Sequence, residues 1–354
     1  MKKQLEKFLT EIAQIKSPSG SEAGMLNYLE EELLRAGFEV EKQPVTEVSY
    51  NIIAWRGKTR FAVCTHADHV VQNEGIEPQI ENGFYIGKGA ADTKGQLAAL
   101  LLALQKTDAP ATVIITVDEE KEGKGSRALK LDNNIKGVLV LEPTDFTVCT
   151  HQAGAIELKL QLKGEAYHAS CSVPDENPVL IACSFLNQLK EMRNRSEPLN
   201  RWKLPVLTPI FIRSGNDDLY ASPDELLLHL DLAVAPEENA TEVFSKVMDL
   251  ARKHGFQIPW AEVEPGFIFP SSSSILRTVE KVYMTLFGNE PPKGIMPSWT
   301  DAANIALSGI DTVVFGAGKL AYCHTSREFV KVEDLNKLAD FLVKFFEESG
   351  TKSG

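Results

Sequence analysis

The segment Phe61-Ala62-Val63-Cys64-Thr65-His66-Ala67-Asp68 begins as an apolar, β-type run and ends in a histidine and an aspartate. Two later runs have the same form: Val113-Ile114-Ile115 leads into Asp118-Glu119-Glu120, and Val138-Leu139-Val140-Leu141 leads into Glu142. Such side chains after buried strands are typical of α/β folds, which place their chemistry at the carboxyl ends of the strands. The pattern predicts a mostly parallel, mixed sheet flanked by helices.

The order of elements changes after residue 153. Before it, strands alternate with helices, whereas residues 154–267 show the order β-α-β-β-α-β of a ferredoxin-like domain. The alternation of helix and strand returns from Ser271 onward. We therefore expect a metal-binding domain made of residues 1–153 and 268–354, with a small α+β domain of residues 154–267 inserted into it.

Composition and charge exclude several classes of protein. The 354 residues include 49 acidic and 37 basic side chains, and the net charge of −12 argues against a nucleic-acid or anionic-membrane partner. Five cysteines form an odd set without zinc-type spacing, which favours reduced thiols in the cytoplasm. No signal-type apolar run or transmembrane stretch is present.

Five ligand-type positions are spread along the chain. They are two histidines and three carboxylates, a set that can hold two divalent cations: His66, Asp92, Glu120, Glu142 and His324. Asp92 lies in a turn bracketed by glycines, and its two oxygens can bridge two metals. A phosphate-binding loop with Lys94 as its cation is an alternative, although the spacing matches no nucleotide fingerprint.

Neighbouring residues suggest how such a site would work. In a strand, residues i and i+2 share a face, so Asp68 can orient the imidazole of His66. Glu119 and Glu120 point in different directions, so one can bind metal while the other takes a proton. A charge at Glu142, after an apolar strand, is costly unless it is paired or metal-bound. Each feature alone also fits an ordinary surface pair, a solvated acidic turn or a structural histidine, but together they predict a metallohydrolase.

These segments together resemble the di-zinc amidohydrolase and exopeptidase family of acetylornithine deacetylase, succinyl-diaminopimelate desuccinylase, aminoacylase and glutamate carboxypeptidase. The resemblance covers essentially the whole chain, including Gly164-Glu165-Ala166-Tyr167-His168-Ala169-Ser170, which is similar to the family's lid-histidine motif. It implies that His66, Asp92 and Glu142 hold one metal. It implies that Asp92, Glu120 and His324 hold the second, with Asp92 bridging. Zinc is the expected ion, and cobalt or manganese would also fit.

The resemblance also implies roles for residues that do not bind metal. Glu119 would be the general base and Asp68 would orient His66. His168 would reach the active site of a partner subunit and stabilise the oxyanion, which implies a homodimer and makes residues 154–267 a lid and dimerisation domain. The peptide bond between Asp92 and Thr93 would be cis.

Two departures from the family pattern bear on substrate binding. The first motif continues as Asp68-His69-Val70-Val71 instead of Asp-Thr-Val-Pro. The lid arginine that grips a substrate carboxylate is replaced by Ala233 in Asp231-Leu232-Ala233. The remaining candidates for substrate binding are Arg213, Asn216, Thr300 and Gly316.

The segments Pro297-Ser298-Trp299-Thr300-Asp301-Ala302 and His324-Thr325 look most like the deacylases of amino-acid biosynthesis. We therefore expect hydrolysis of the amide bond of an N-acyl-L-amino acid. Acetylornithine, acetylcitrulline and carrier-linked lysine or ornithine are the substrates to test. The alternative enzyme is a metallo-exopeptidase acting on dipeptides or tripeptides. Two further alternatives are a metal- or peptide-binding module without catalysis and a structural α/β protein with coincidental acidic turns.

Overall fold

The computed structural model describes residues 2–70 and 78–350. They belong to two compact units. The large unit comprises Met1–Thr150, Phe269–Gly294 and Thr300–Gly354, and the small unit comprises His151–Ile268 and Ile295–Trp299. None of the helices in the described part is both long and apolar enough to cross a membrane.

The strands, in chain order, are β1 (Glu39–Pro44), β2 (Tyr50–Arg56), β3 (Phe61–His66), β4 (Gln79–Glu81), β5 (Phe84–Ile86), β6 (Ala111–Thr116), β7 (Gly137–Val140), β8 (Val148–Gln152), β9 (Gly154–Lys163), β10 (Thr208–Ser214), β11 (Glu225–Val234), β12 (Gln257–Glu264), β13 (Phe267–Ile268), β14 (Lys293–Met296), β15 (Asp311–Val314) and β16 (Phe329–Lys331). The α-helices are α1 (Lys2–Ala13), α2 (Ala23–Arg35), α3 (Gly95–Lys106), α4 (Lys124–Ala128), α5 (Pro178–Asn194), α6 (Glu197–Trp202), α7 (Ala240–Lys253), α8 (Ser274–Phe287), α9 (Ala302–Leu307) and α10 (Val332–Ser349). A π-helical turn, Ala90–Lys94, precedes α3.

The main sheet of the large unit runs in the order β1-β2-β6-β3-β7-β15-β8. Its centre is parallel, because β3 pairs in parallel with β6 and β7, and β15 pairs in parallel with β7. The flanking pairs are antiparallel, so the sheet is mixed, as the sequence predicts. The three strands that precede the predicted ligands are therefore neighbours, and their carboxyl ends lie at one edge of the sheet.

The burial of the central strands explains their composition. Every residue of β3 and of β6 is buried, which is why both segments are almost continuously apolar instead of alternating. Helix α3 packs against α1 and α10, and its residues 95–104 are all buried. A helix that is apolar on nearly every side is expected in such a position.

The small unit contains an antiparallel sheet in the order β10-β11-β9-β12, with α5 and α7 contributing to its core. This strand order and the β-α-β-β-α-β chain order are those of the ferredoxin-like arrangement. Strand β9 alternates: Ile156, Leu158, Leu160 and Leu162 enter the core. Strand β10 lies at the edge, and its residues are mostly exposed.

Two helices begin at different kinds of cap. Ser273 caps α8 by accepting a hydrogen bond from the backbone N–H of Leu276, so the serine-rich run before this helix is a capping loop. The N-cap residue of α2 is Glu22. The buried carboxylate of Glu22 accepts hydrogen bonds from the N–H of Gly20 and the hydroxyl of Ser49, which ties down the chain before the helix.

Candidate metal centre

The carboxyl ends of β3, β6 and β7 carry the first part of the centre. His66 is the last residue of β3, Glu119 and Glu120 follow β6, and Glu142 follows β7. Asp92 lies in the π-helical turn before α3, and His324 follows a short turn after β15. All these residues belong to the large unit.

The ligand-type side chains converge in space. Three groups have ligand atoms that all lie within 4.8 Å of one another: His66, Asp92 and Glu142; Asp92, Glu120 and His324; and His66, Glu119 and Glu120. Nε2 of His66 lies 3.0 Å from Oδ1 of Asp92. Nε2 of His324 lies 2.9 Å from Oε2 of Glu120 and 3.6 Å from Oδ2 of Asp92. Asp92 thus directs one oxygen to each histidine.

These separations fit metal ligands. Two atoms bound to one tetrahedral ion at about 2.0–2.1 Å lie about 3.3–3.4 Å apart, in the middle of the observed range. Within the described residues, the buried Oε1 atoms of Glu120 and Glu142 have no hydrogen-bond partner. Because a buried carboxylate oxygen without a partner is costly, a cation that binds it would remove that cost. The residues present therefore fit a divalent metal.

The electrostatics of the cluster disfavour the charged form of its buried glutamates. Burial raises the pKa of Glu142 well above its usual range, and nearby Asp92 raises it further. Burial likewise raises the pKa of Glu119, although His66 opposes the shift. Burial alone would lower the pKa of His324, but Asp92 and Glu120 raise it to about 11. In the absence of metal the centre therefore collects protons, which a bound cation would displace.

Asp68 orders more of the centre than the sequence suggested. Its Oδ1 lies 3.4 Å from Nδ1 of His66, on the side of the imidazole away from Asp92. The same carboxylate accepts hydrogen bonds from the backbone N–H groups of Glu119 and Glu120, at 3.2 and 3.1 Å. The hydroxyl of Ser19 donates a further bond of 2.7 Å. Asp68 therefore holds both His66 and the turn that carries Glu119 and Glu120.

The glycines around Asp92 serve close packing of the chain against itself. A Cβ atom on Gly95 would lie 2.4 Å from the carbonyl oxygen of Ala90, so only glycine fits there. Lys94 is buried, and its Nζ donates to the carbonyl of Ile15, which disfavours the phosphate-loop alternative. The Asp92–Thr93 peptide bond is cis, as the resemblance implies.

Comparison with known proteins places this centre in a family. Residues 62–348 match peptidase family M20/M25/M40. The chain belongs to this family. Its membership makes the chain a hydrolase and confirms the resemblance that the sequence motifs indicated.

Individual proteins that are similar to this chain match it over nearly its whole length. The [LysW]-lysine/[LysW]-ornithine hydrolase of Saccharolobus islandicus is 24% identical over 342 residues, which cover 95% of this chain and 93% of the relative. A tripeptidase of Staphylococcus aureus has a TM-score of 0.79 at 20% identity and covers 99% of this chain and 98% of its own. Human carnosine dipeptidase 1 has a TM-score of 0.77 at 15% identity, with coverage of 98% and 97%. At these identities the two structures show that the fold is shared.

The candidates for substrate binding lie in different settings. Thr300 is buried, and its hydroxyl accepts from the N–H of Ala302 at the start of α9. A Cβ on Gly316 would lie 2.5 Å from the carbonyl oxygen of Glu142, so this glycine allows close packing beside a ligand-type residue. In the small unit, Arg213 and Asn216 are exposed and line one cavity of about 260 Å³. His168 is exposed, and its Nδ1 accepts from the N–H of Ser170.

The departures from the family pattern also have structural settings. His69 is buried, and its Nε2 accepts from the backbone N–H of Ser17, so it belongs to the packing beside the centre. Val71, at the end of that motif, lies outside the described residues. Ala233 is buried, and its carbonyl accepts from Arg193, whose guanidinium also pairs with Glu238. The guanidinium of Arg193 is thus bound to other residues of the small unit.

Sequence reasoning missed three buried polar residues of the large unit. The side-chain amide of Gln96 donates to the carbonyl groups of Ala91 and Ala317, and so joins the Asp92 turn to the loop after β15. Asp301 accepts a 2.5 Å bond from the hydroxyl of Thr116, and burial raises its pKa to about 6. Glu328 binds the backbone of the Asp92 turn. Asp301 lies in a segment that the sequence singled out without a role, whereas Thr325-Ser326-Arg327-Glu328 looks like an ordinary solvated turn.

Proposed function

We propose that the chain hydrolyses the amide bond of an N-acyl-L-amino acid with the help of two divalent cations. The observation that carries the proposal is the convergence of four ligand-type side chains, His66, Glu120, Glu142 and His324, on Asp92, together with the unpartnered oxygens of Glu120 and Glu142. The hydrolase of [LysW]-lysine and [LysW]-ornithine among the relatives favours carrier-linked lysine or ornithine as the substrate. Acetylornithine and acetylcitrulline are the smaller substrates of the same reaction.

The two ions are assigned by the groups that the side chains form. His66, Asp92 and Glu142 would hold one ion, and Asp92, Glu120 and His324 would hold the other, with Asp92 shared. Mixed imidazole and carboxylate ligands suit zinc, and cobalt or manganese would also be accepted. When bound, such ions polarise the substrate carbonyl and make water more acidic.

Glu119 is the group best placed to move the proton. Its carboxylate lies within 4.8 Å of ligand atoms of His66 and Glu120 but is not needed in either of the two ion groups. It would accept the proton of the attacking water and then deliver it to the departing amine. Asp68 supports this step because it binds the backbone N–H of Glu119 and so limits where the carboxylate can move.

The remaining roles, which are substrate contact, oxyanion stabilisation and dimerisation, are proposed for the small unit. We assign residues 154–267 to a lid and dimerisation domain, in which Arg213 and Asn216 contact the substrate and His168 stabilises the oxyanion in the partner subunit. Strand β10 supports a dimer because it is an edge strand with three consecutive exposed apolar residues, Ile210, Phe211 and Ile212. Exposed apolar edges favour pairing with another chain.

The experiment that tests the function combines metal analysis with turnover. The purified chain is stripped with a chelator, reloaded with zinc, cobalt or manganese, and assayed on carrier-linked lysine, acetylornithine, acetylcitrulline and a panel of dipeptides and tripeptides. We expect two ions per chain, loss of activity with the chelator, and preference for the acyl amino acids. Preference for free peptides would establish the exopeptidase alternative, and a chain that binds no metal would contradict both.

A further inference from the structure

The carboxylate of Glu328 is clamped onto the turn that carries Asp92. Its Oε1 accepts hydrogen bonds from the backbone N–H groups of Ala91 and Asp92, at 2.9 and 3.1 Å. Its Oε2 accepts from the N–H of Gly89 at 3.1 Å. The backbone carbonyl of Glu328 also accepts from the N–H of Gly87 at 3.0 Å. Four bonds thus join one residue to a turn more than 200 positions earlier in the chain.

This arrangement requires a carboxylate. Glu328 is 1% exposed, and burying a carboxylate is unfavourable unless it is paired or hydrogen-bonded, as its bonds to the backbone of the Asp92 turn make it. Glutamine has the same shape but accepts at only one end, so its amide N–H₂ would face either Gly89 or the pair Ala91 and Asp92. At least one buried backbone N–H would then lose its partner. A carboxylate accepts at both ends, and its bonds are charge-assisted.

The clamp also joins two ligand-type residues. His324 lies four residues before Glu328, and the N–H of Glu328 donates to the carbonyl of Thr325, so the two belong to one short segment. Nε2 of His324 faces Oδ2 of Asp92 at 3.6 Å. The segment 324–328 therefore provides one ligand-type residue and fixes the backbone of another.

We propose that Glu328 is a positioning residue, which sets the backbone of Asp92 so that its carboxylate can be shared between the two cation groups. This inference rests on the proposed function, because it assumes that Asp92 binds metal. Since Asp92 and His324 both belong to the group with Glu120, we expect the ion at that group to depend most strongly on the clamp.

The test uses the full chain with Glu328→Gln, and Glu238→Gln as the matched control. Glu238 of the small unit also pairs its carboxylate with protein donors, the N–H of Ala235 and the guanidinium of Arg193. The readouts are zinc affinity by chelator competition, the absorption spectrum of the cobalt-loaded protein, and thermal unfolding. We expect Glu328→Gln to weaken binding of at least one ion by about 10–100-fold, the usual effect of losing a group that orients a ligand, and to change the cobalt spectrum. Glu238→Gln should lower thermal stability only.

Glu328→Asp keeps the two oxygens on a shorter side chain and serves if Glu328→Gln does not fold. It should bind metal more weakly than wild type, with a shifted cobalt spectrum. A folded variant of either kind with wild-type affinities and spectrum would overturn the inference. So would failure of both variants to fold in excess zinc, because Glu328 would then be needed for folding itself. A wild-type chain that binds no zinc would instead contradict the proposed function.

Discussion

At the scale of single residues, we expect Glu119 to act as the general base and the adjacent Glu120 to bind metal. Glu119→Gln should lower kcat about 10²–10⁴-fold, the range for loss of a general base, because the amide cannot accept the proton of water. Metal content should stay at the wild-type level, since Glu119 is not required in the two proposed ion groups. Steady-state kinetics and elemental analysis of the same preparation check both points.

Glu122→Gln is the matched control for that change. Glu122 lies in the same turn, but it is exposed and pairs with Lys121 and Lys124. This variant should keep wild-type kcat. If Glu119→Gln were as active as Glu122→Gln, the assignment of the base would be wrong.

A second residue-scale expectation concerns pH and the small unit. Asp231 lies opposite Glu157 on the neighbouring strand, and burial, with Glu157 adding, raises its pKa to about 6. Its contribution to stability is thus complete below its unfolded value near 3.8 and is lost as the pH rises through about 6. Asp231→Asn should therefore stabilise the chain by about 1 kcal/mol at pH 8, given the partial exposure of the side chain.

Urea unfolding at several pH values measures this effect. The gain from Asp231→Asn should shrink to nothing at pH 3.5. Asp249→Asn, at an exposed position of α7 in the same unit, is the control. The difference between its free energy of unfolding and that of wild type should not grow with pH. If the difference in free energy of unfolding between Asp231→Asn and wild type were the same at every pH, the raised pKa of Asp231 could not be its cause.

The sequence predicts a site residue where a ligand-type side chain follows a segment that is expected to be buried or tightly turned. His66, Asp92, Glu120, Glu142 and His324 end apolar runs or glycine-rich turns, and the structure brings them together. Glu328 and Gln96 could not be found in that way, because their partners are backbone groups from distant segments. A backbone N–H has no sequence signature, so bonds to it emerge only from the folded chain.

At the scale of elements, strand β10 is the most informative. Ile210, Phe211 and Ile212 are each about half exposed on a strand whose outer edge has no neighbour in the described sheet. Phe211→Lys should therefore convert a dimer into a monomer, since a charge would be placed where two edges meet. Light scattering coupled to size-exclusion chromatography gives the mass directly.

Leu307→Lys provides the control for the β10 variant. Leu307 is 64% exposed on α9 of the large unit, so the same added charge should leave the mass unchanged there. A wild-type monomer, or a Phe211→Lys dimer, would contradict a role for β10 in assembly.

Elements with strong periodicity were predictable, and short edge elements were not. Strand β9 alternates regularly between buried and less buried residues, and α3 is a long apolar run after a glycine turn, so each segment has a pattern that indicates its structure. Strand β1 has the sequence Glu39-Val40-Glu41-Lys42-Gln43-Pro44, which is mostly charged and exposed because only one neighbour pairs with it. Strands β4, β5 and β16 have three residues each and form a separate small sheet, too short to leave a pattern.

At the scale of the whole molecule, the proposed role of His168 across subunits can be tested by complementation. Glu119→Ala and His168→Ala should each be nearly inactive alone. In mixed dimers, the His168→Ala chain keeps its own Glu119 and would receive His168 from its partner. Because random pairing makes half the dimers mixed, with one competent site each, we expect about a quarter of wild-type activity on mixing.

Denaturing and refolding each variant separately gives the baseline for that experiment. Recovery only after joint refolding would support action between subunits. Activity of the mixture equal to the average of the two baselines would show that each site is completed within one chain.

The architecture of each unit follows from the order of its elements. The β-α-β-β-α-β order leads to the β10-β11-β9-β12 sheet, and the apolar runs that precede ligand-type residues lead to the parallel centre β6-β3-β7-β15. The substrate is harder to predict, because it depends on side chains such as Arg213 and Asn216 on exposed segments, where periodicity and burial give little information.

The most direct test of the central claim is anomalous diffraction at the zinc edge from crystals of the zinc-loaded chain. The account predicts two peaks about 3.5–4 Å apart, both within bonding distance of the Asp92 carboxylate. One peak should also contact His66 and Glu142, and the other Glu120 and His324. A single peak, or peaks beyond the reach of Asp92, would contradict it.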